Sequence, residues 1–171
     1  MVTELAEREL LTRAWEIAGA VPDPELPAVT VADLGILREI VLDDERLIVC
    51  LTPTYSGCPA LHEIRRDVAS RLAAAGFAAE VRTVLSPPWS TDLITADGRR
   101  KLAEAGVAPP RSVPRTAGAV PLTLFGGGPP VACPRCGSGD TERTAAFGST
   151  ACKDLRRCRA CGEPFEHVKE I

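Results

Sequence analysis

Two Cys-x-x-Cys-Gly units, Cys133-Pro-Arg-Cys136-Gly137 and Cys158-Arg-Ala-Cys161-Gly162, with 21 residues between Cys136 and Cys158, stand near the carboxyl end, and they constrain this chain more than any other feature. Each is a tight turn that aims two sulfurs at one point, and the Gly after the second Cys lets backbone amides turn toward the thiolates. Two such turns supply four soft ligands in a tetrahedron, which suits Zn²⁺ with sulfur about 2.3 Å away. Cys133, Cys136, Cys158 and Cys161 are therefore expected to hold one metal ion, with zinc favoured. A single iron or an iron–sulfur cluster fits the same cage, and free or disulfide-paired thiols are the plain alternative. Between the units, 141–147 and 152–157 are expected to pair as strands across Gly148-Ser149, with 164–168 as a third: a zinc ribbon. A module of about forty residues has too little core to fold unaided, so metal binding should supply much of its folding free energy.

The rest of the chain is long enough for one more domain. At 171 residues, with 45% hydrophobic and 25% charged residues, composition is ordinary for a globular protein. The net charge of -3 divides unevenly: 11 Lys/Arg face 17 Asp/Glu over 1–107, and 7 face 6 over 132–171. Neither part is a basic nucleic-acid surface, so no nucleic-acid partner is expected. The first residues lack a basic stretch followed by an apolar run, and nothing later is apolar enough to span a bilayer. Seven cysteines, an odd number, with no export signal read as reduced thiols in a cytoplasm.

Residues 4–20 carry Leu5, Leu10, Ala14, Trp15, Ile17 and Ala18 at helical spacing, and Pro22 and Pro24 stop the helix. Residues 36–42 read as a strand, Asp43-Asp-Glu-Arg46 as a polar turn, and Leu47-Ile-Val-Cys-Leu51 as a buried strand in which Cys50 belongs to the core. Leu61, Ile64, Val68 and Leu72 predict a helix of about four turns ending near Gly76. A third strand over 79–85 and a short helix over 96–105 follow. Strand, strand, helix, strand makes a hairpin and then a parallel crossover. The expected class is α+β: a small three-stranded mixed sheet with helices on it, followed by the ribbon. Prolines and glycines concentrate between Val107 and Val131, giving expected domains at 1–107 and 132–171 joined by a linker at 108–131. Within that linker, Val120-Pro-Leu-Thr-Leu-Phe125 is apolar enough to dock on a domain.

Pro59 fits the first position of its helix, which makes Cys58 the expected cap residue, its sulfur beside free amides. The helix dipole should then lower its pKa and favour the thiolate that attacks electrophiles and binds soft metals. The plain reading of such a cysteine is a buried small hydrophobe. His62, at i+4 from Cys58, is expected to be a surface residue, as is His167. Cys152 reads either as a half-buried strand residue or as a spare ligand. Asp23 and Glu25, between prolines, either fix a turn or act as paired carboxylates.

Asp23-Pro-Glu-Leu-Pro27, Val31-Ala-Asp-Leu-Gly35, Leu51-Thr-Pro-Thr54, Gly57-Cys58-Pro59 and Pro87-Pro88-Trp89 resemble the SufT-like domain of metal–sulfur cluster biosynthesis over about 8–105. Adding Trp89-Ser-Thr-Asp92, Gly106-Val-Ala-Pro-Pro110, the CxxCG pairs and Phe147-Gly-Ser-Thr-Ala-Cys-Lys153, nearly the full length resembles the PaaD family of the phenylacetyl-CoA epoxidase system. The resemblance implies an accessory, non-catalytic protein of aerobic phenylacetate degradation that helps assemble an iron–sulfur or iron centre in a client. It implies as partners the reductase or oxygenase subunits of the epoxidase, or general iron–sulfur assembly proteins. Cys58 becomes the reactive or cargo-carrying thiol, Asp23, Glu25, Thr52 and Thr54 its supporting surface, and Cys152 an auxiliary thiol. A structural adaptor within the oxygenase complex and a thiol redox enzyme are the competing readings; the latter needs a resolving thiol near Cys58, and no CxxC accompanies it.

Overall fold

The computed structural model describes residues 2–55, 57–111 and 130–170, and the chain divides into two compact units, Met1–Gly98 and Arg99–Ile171. The division falls within a helix. The apolar stretch at 120–125 and most of the expected linker lie outside the described residues.

The first unit opens with α1 (Val2–Gly19), whose Ala14 and Ala18 are fully buried. A hairpin follows: β1 (Leu37–Asp43) pairs antiparallel with β2 (Arg46–Leu51), turning at Asp44 with φ 53°. Next come α2 (Ala60–Ala74) and β3 (Ala79–Thr83), which pairs parallel with β2, giving the sheet order β1-β2-β3. This is the expected hairpin plus parallel crossover. α2 buries Ala60, Ile64, Val68 and Leu72, a strict i+4 stripe that meets one sheet face. Ala60 takes the place in this stripe that the spacing had suggested for Leu61, which is half-buried. The helix ends with Gly76 at φ 87°, its amide donating to the Ala73 carbonyl.

Cys50 departs from its expected place in the core. β2 alternates, so Leu47, Val49 and Leu51 face one side while Cys50 sits on the other, between Glu39 of β1 and Arg82 of β3. It is only half-buried there.

The turn segment before β1 is locked by its own polar groups: Asp33 Oδ2 accepts the Thr30 amide at 2.9 Å, and Thr30 Oγ1 accepts the Asp33 amide at 3.2 Å. The segment after β3 closes over it. Trp89 is buried and donates its indole N–H to the Leu34 carbonyl at 2.8 Å, and the Thr95 amide reaches the Asp33 carbonyl at 2.9 Å. The approach is so close that a Cβ on Gly35 would lie 2.5 Å from the Leu93 carbonyl oxygen, which only glycine permits. A 3₁₀ turn, Thr91–Leu93, precedes α3 (Ala96–Glu104).

In the second unit, β5 (Thr141–Ala145), β6 (Lys153–Cys158) and β7 (Pro164–Val168) form the expected antiparallel ribbon. The sheet carries a fourth strand. β4 (Val107–Ala108) runs parallel to β7, pairing Val107 with Glu166 and Ala108 with His167, in the order β4-β7-β6-β5. Ala108, Val131, Cys133, Cys158 and Phe165 make its small apolar core. No helix among the described residues is long and apolar enough to cross a membrane.

Candidate metal centre and thiol site

The two CxxCG turns fold as their sequence dictates. The Gly137 amide donates to the Cys133 carbonyl at 2.8 Å and the Gly162 amide to the Cys158 carbonyl at 2.9 Å. Both glycines take positive φ, 74° and 80°, which an L side chain resists. The ligand atoms of Cys133, Cys136, Cys158 and Cys161 all lie within 4.8 Å of one another. Cys133 Sγ stands 3.8 Å from Cys161 Sγ, and Cys136 Sγ 3.6 Å from Cys158 Sγ. A regular tetrahedron with metal–sulfur bonds of about 2.3 Å has edges of about 3.8 Å, so these sulfurs already hold the spacing of a Cys₄ metal site.

Electrostatics points the same way. The amide of Cys161, followed by its neighbouring sulfurs, draws the Cys158 thiol down to about 7. For Cys136 the Ser138 amide works downward, but the adjacent Cys161, Cys158 and Cys133 sulfurs and burial outweigh it and push the thiol up to about 12. Four sulfurs this close cannot all shed protons unless a cation joins them. Cys133 and Cys158 are buried and Cys136 and Cys161 exposed, so one edge of the tetrahedron faces solvent.

Cys152 does not belong to this group. It precedes β6 while Cys158 ends it, so an extended strand of about 20 Å separates the two. Its sulfur lies 3.1 Å from Thr150 Oγ1, and its carbonyl accepts the Lys169 amide.

His167 is a correction: the expected surface residue is 1% exposed. It alternates in register with Phe165 on the inner face of β7, and β4 covers the strand's flank. Its Nδ1 lies 3.3 Å from Asp154 Oδ1, while Nε2 has no hydrogen-bond partner and stands 3.8 Å from Glu170 Oε1. Burial holds its pKa below the usual histidine value, against the pull of both carboxylates. On the outer face, the ammonium of Lys153, 2% exposed, pairs with Glu166 Oε2 at 2.8 Å, while Glu166 Oε1 accepts the Ser149 amide. These buried polar groups escaped the sequence reading because alternation marks a face without saying what covers it.

Cys58 lies at the start of α2. Helical hydrogen bonding begins at Ala60, with Pro59 before it already helical in its dihedrals, φ −68° and ψ −30°. The Cys58 sulfur faces the amides of Ala60 and Leu61, as expected, yet its pKa is raised rather than lowered. Burial is the largest cause; the two amides lower it, and the negative fields of Asp23 and Glu25 raise it further. Burial of the sulfur, with the fields of two acids added, outweighs one helix end. The fold thus brings the Pro-flanked carboxylates within electrostatic reach of the thiol, although they are far away in sequence. Asp23 also fixes its own turn: Oδ1 accepts the amides of Glu25 and Leu26 at 2.8 and 2.9 Å. Thr52, 1% exposed, leaves its Oγ1 without a hydrogen-bond partner, and Thr54 is half-buried. His62 is exposed on α2, as expected.

Residues 117–169 match the family model of the PaaD zinc beta ribbon domain, and residues 17–85 that of an iron-sulfur cluster assembly protein. A 1,2-phenylacetyl-CoA epoxidase subunit of Escherichia coli (strain K12) is 39% identical over 158 residues, covering 92% of this chain and 91% of that one. Among solved structures, a domain of unknown function from Bacillus anthracis superposes with a TM-score of 0.54 at 26% identity, covering 58% of this chain and 96% of its own.

Proposed function

Starting from the 39% identity over nearly full length by which the chain belongs to the PaaD family of 1,2-phenylacetyl-CoA epoxidase subunits, we propose that it is a non-catalytic maturation factor of phenylacetate degradation. Cys58 transiently holds iron or an iron–sulfur cluster destined for a reductase or oxygenase subunit in the cytoplasm. The Cys₄ site holds a structural zinc that folds the ribbon, and the ribbon recognises the client. The observation that carries this reading is the separation of two kinds of sulfur. Four of them complete their own coordination set, while Cys58 stands in another unit with two carboxylates near it.

A single thiol that must lose a proton to bind metal, and that offers one soft ligand beside hard oxygens, holds its cargo loosely. Loose holding is what delivery requires. The match of residues 17–85 to an iron-sulfur cluster assembly protein supports the same reading. Replacing Cys58 with Ala in cells grown on phenylacetate should slow growth and lower the cluster content of the reductase. Unchanged growth with unchanged cluster content would remove the proposal. A structural adaptor would instead copurify stoichiometrically with the oxygenase.

A further inference from the structure

β3 ends its sheet among the described residues, pairing with β2 on one side only. The hydrogen bonds from Leu47 N to Ala78 O and from Val84 N to Leu51 O show which backbone groups turn toward β2. By strand alternation, the amides and carbonyls of Ala79, Val81 and Thr83 face the other way. The Val81 carbonyl confirms this, since it accepts a hydrogen bond of 3.1 Å from the Arg65 guanidinium on α2. A groove of about 350 Å³ lies against α2 and meets β3 at Val81, lined by His62, Arg65, Arg66, Ala69 and Val81.

Among the described residues, no carboxylate lines that groove. Glu63 and Asp67 reach Arg66 at 3.6 and 3.4 Å, but all three side chains are exposed, and such pairs contribute little. Arg65 has no carboxylate partner among the described residues. Among the described residues the groove therefore combines a strand edge whose outward amides and carbonyls, apart from the Val81 carbonyl held by Arg65, pair with no other strand, together with two guanidinium groups and an apolar floor. We propose that it docks an extended, acidic segment of a partner protein, which adds to β3 as a further strand and turns its carboxylates toward Arg65 and Arg66.

Each ingredient has a physical role. The unpaired strand edge supplies main-chain hydrogen bonds to any extended chain without proline. Guanidinium groups select carboxylates through charge-assisted bonds, and Ala69 and Val81 accept small apolar side chains at alternate positions. His62, which lines the groove, lies in the first turn of α2, four residues after Cys58. The inference concerns how a partner is held, and it stands whether or not Cys58 carries metal.

The test uses the full metal-loaded chain and a fluorescent peptide of alternating Glu and Val, followed by anisotropy and by amide shifts of the labelled protein. Saturable binding is expected, with shifts confined to β3 and to the His62–Ala69 face of α2. Arg65→Glu should weaken it by about tenfold, and Arg66→Glu likewise. Arg143→Glu on the ribbon and Cys58→Ser should leave it unchanged, the latter separating docking from cargo. Absence of binding, equal affinity for a Gln–Val peptide, or indifference to Arg65→Glu would overturn the proposal. Equal affinity for a peptide with Pro in place of alternate Val would overturn the added strand.

Discussion

At the scale of single residues, the decisive group is Cys58, where two opposing influences act on one sulfur. The amides at the start of α2 stabilise the thiolate, while burial and the charges of Asp23 and Glu25 disfavour it and prevail. At neutral pH the thiol therefore keeps its proton, and alkylation should accelerate only as pH climbs past the usual cysteine value. Asp23→Asn separates charge from structure, because the amide oxygen still accepts the Glu25 and Leu26 N–H groups while the charge is gone. The expected outcome is a few-fold faster iodoacetamide reaction at Cys58 at pH 8, measured by peptide mass spectrometry; an unchanged rate would mean that the carboxylate exerts no field there. The sequence pointed to Cys58 through Gly57, Pro59 and the helix that follows. It could not reveal the direction of the pKa, which depends first on how far the fold buries the sulfur and then on the charges of a loop more than thirty residues earlier in the chain.

At the scale of elements, the most legible features were local ones. The α2 stripe, the two β1–β2 partners around a polar turn and the CxxCG knuckles each depend on spacings within a few residues. Features that need a distant partner were not legible: the burial of His167 and Lys153, and the two-residue β4, too short to show any period. The knuckles offer a direct test. Gly162→Ala places a Cβ at φ 80°, which costs about 1–2 kcal/mol. Nothing lies within 4 Å of that Cβ, so the cost is purely conformational. Competition with a chelator should show metal affinity reduced by about tenfold or somewhat more, with the Cys₄ ligand set intact.

At the scale of the whole molecule, two units rest on different sources of stability. Met1–Gly98 has a sheet covered on one face by helices and buries Ile36, Leu47, Val49, Leu51, Ile64 and Leu72. Among the described residues the ribbon's apolar cluster holds five, two of them cysteines of the candidate metal site. Removing the metal should therefore unfold Arg99–Ile171 and spare the first unit. Both tryptophans, Trp15 and Trp89, belong to that first unit. Chelation is thus expected to lower the β signal in circular dichroism without shifting tryptophan emission. A red shift on chelation would show that the first unit depends on the ribbon for its fold.

The small strand β4 carries a consequence for any attempt to take the protein apart. A fragment beginning after the Pro/Gly-rich stretch inherits all four sulfurs but not Val107 and Ala108, so the outer seam of β7 is left unsewn. A second copy can close such a seam, and the severed ribbon is then inclined to live as a pair.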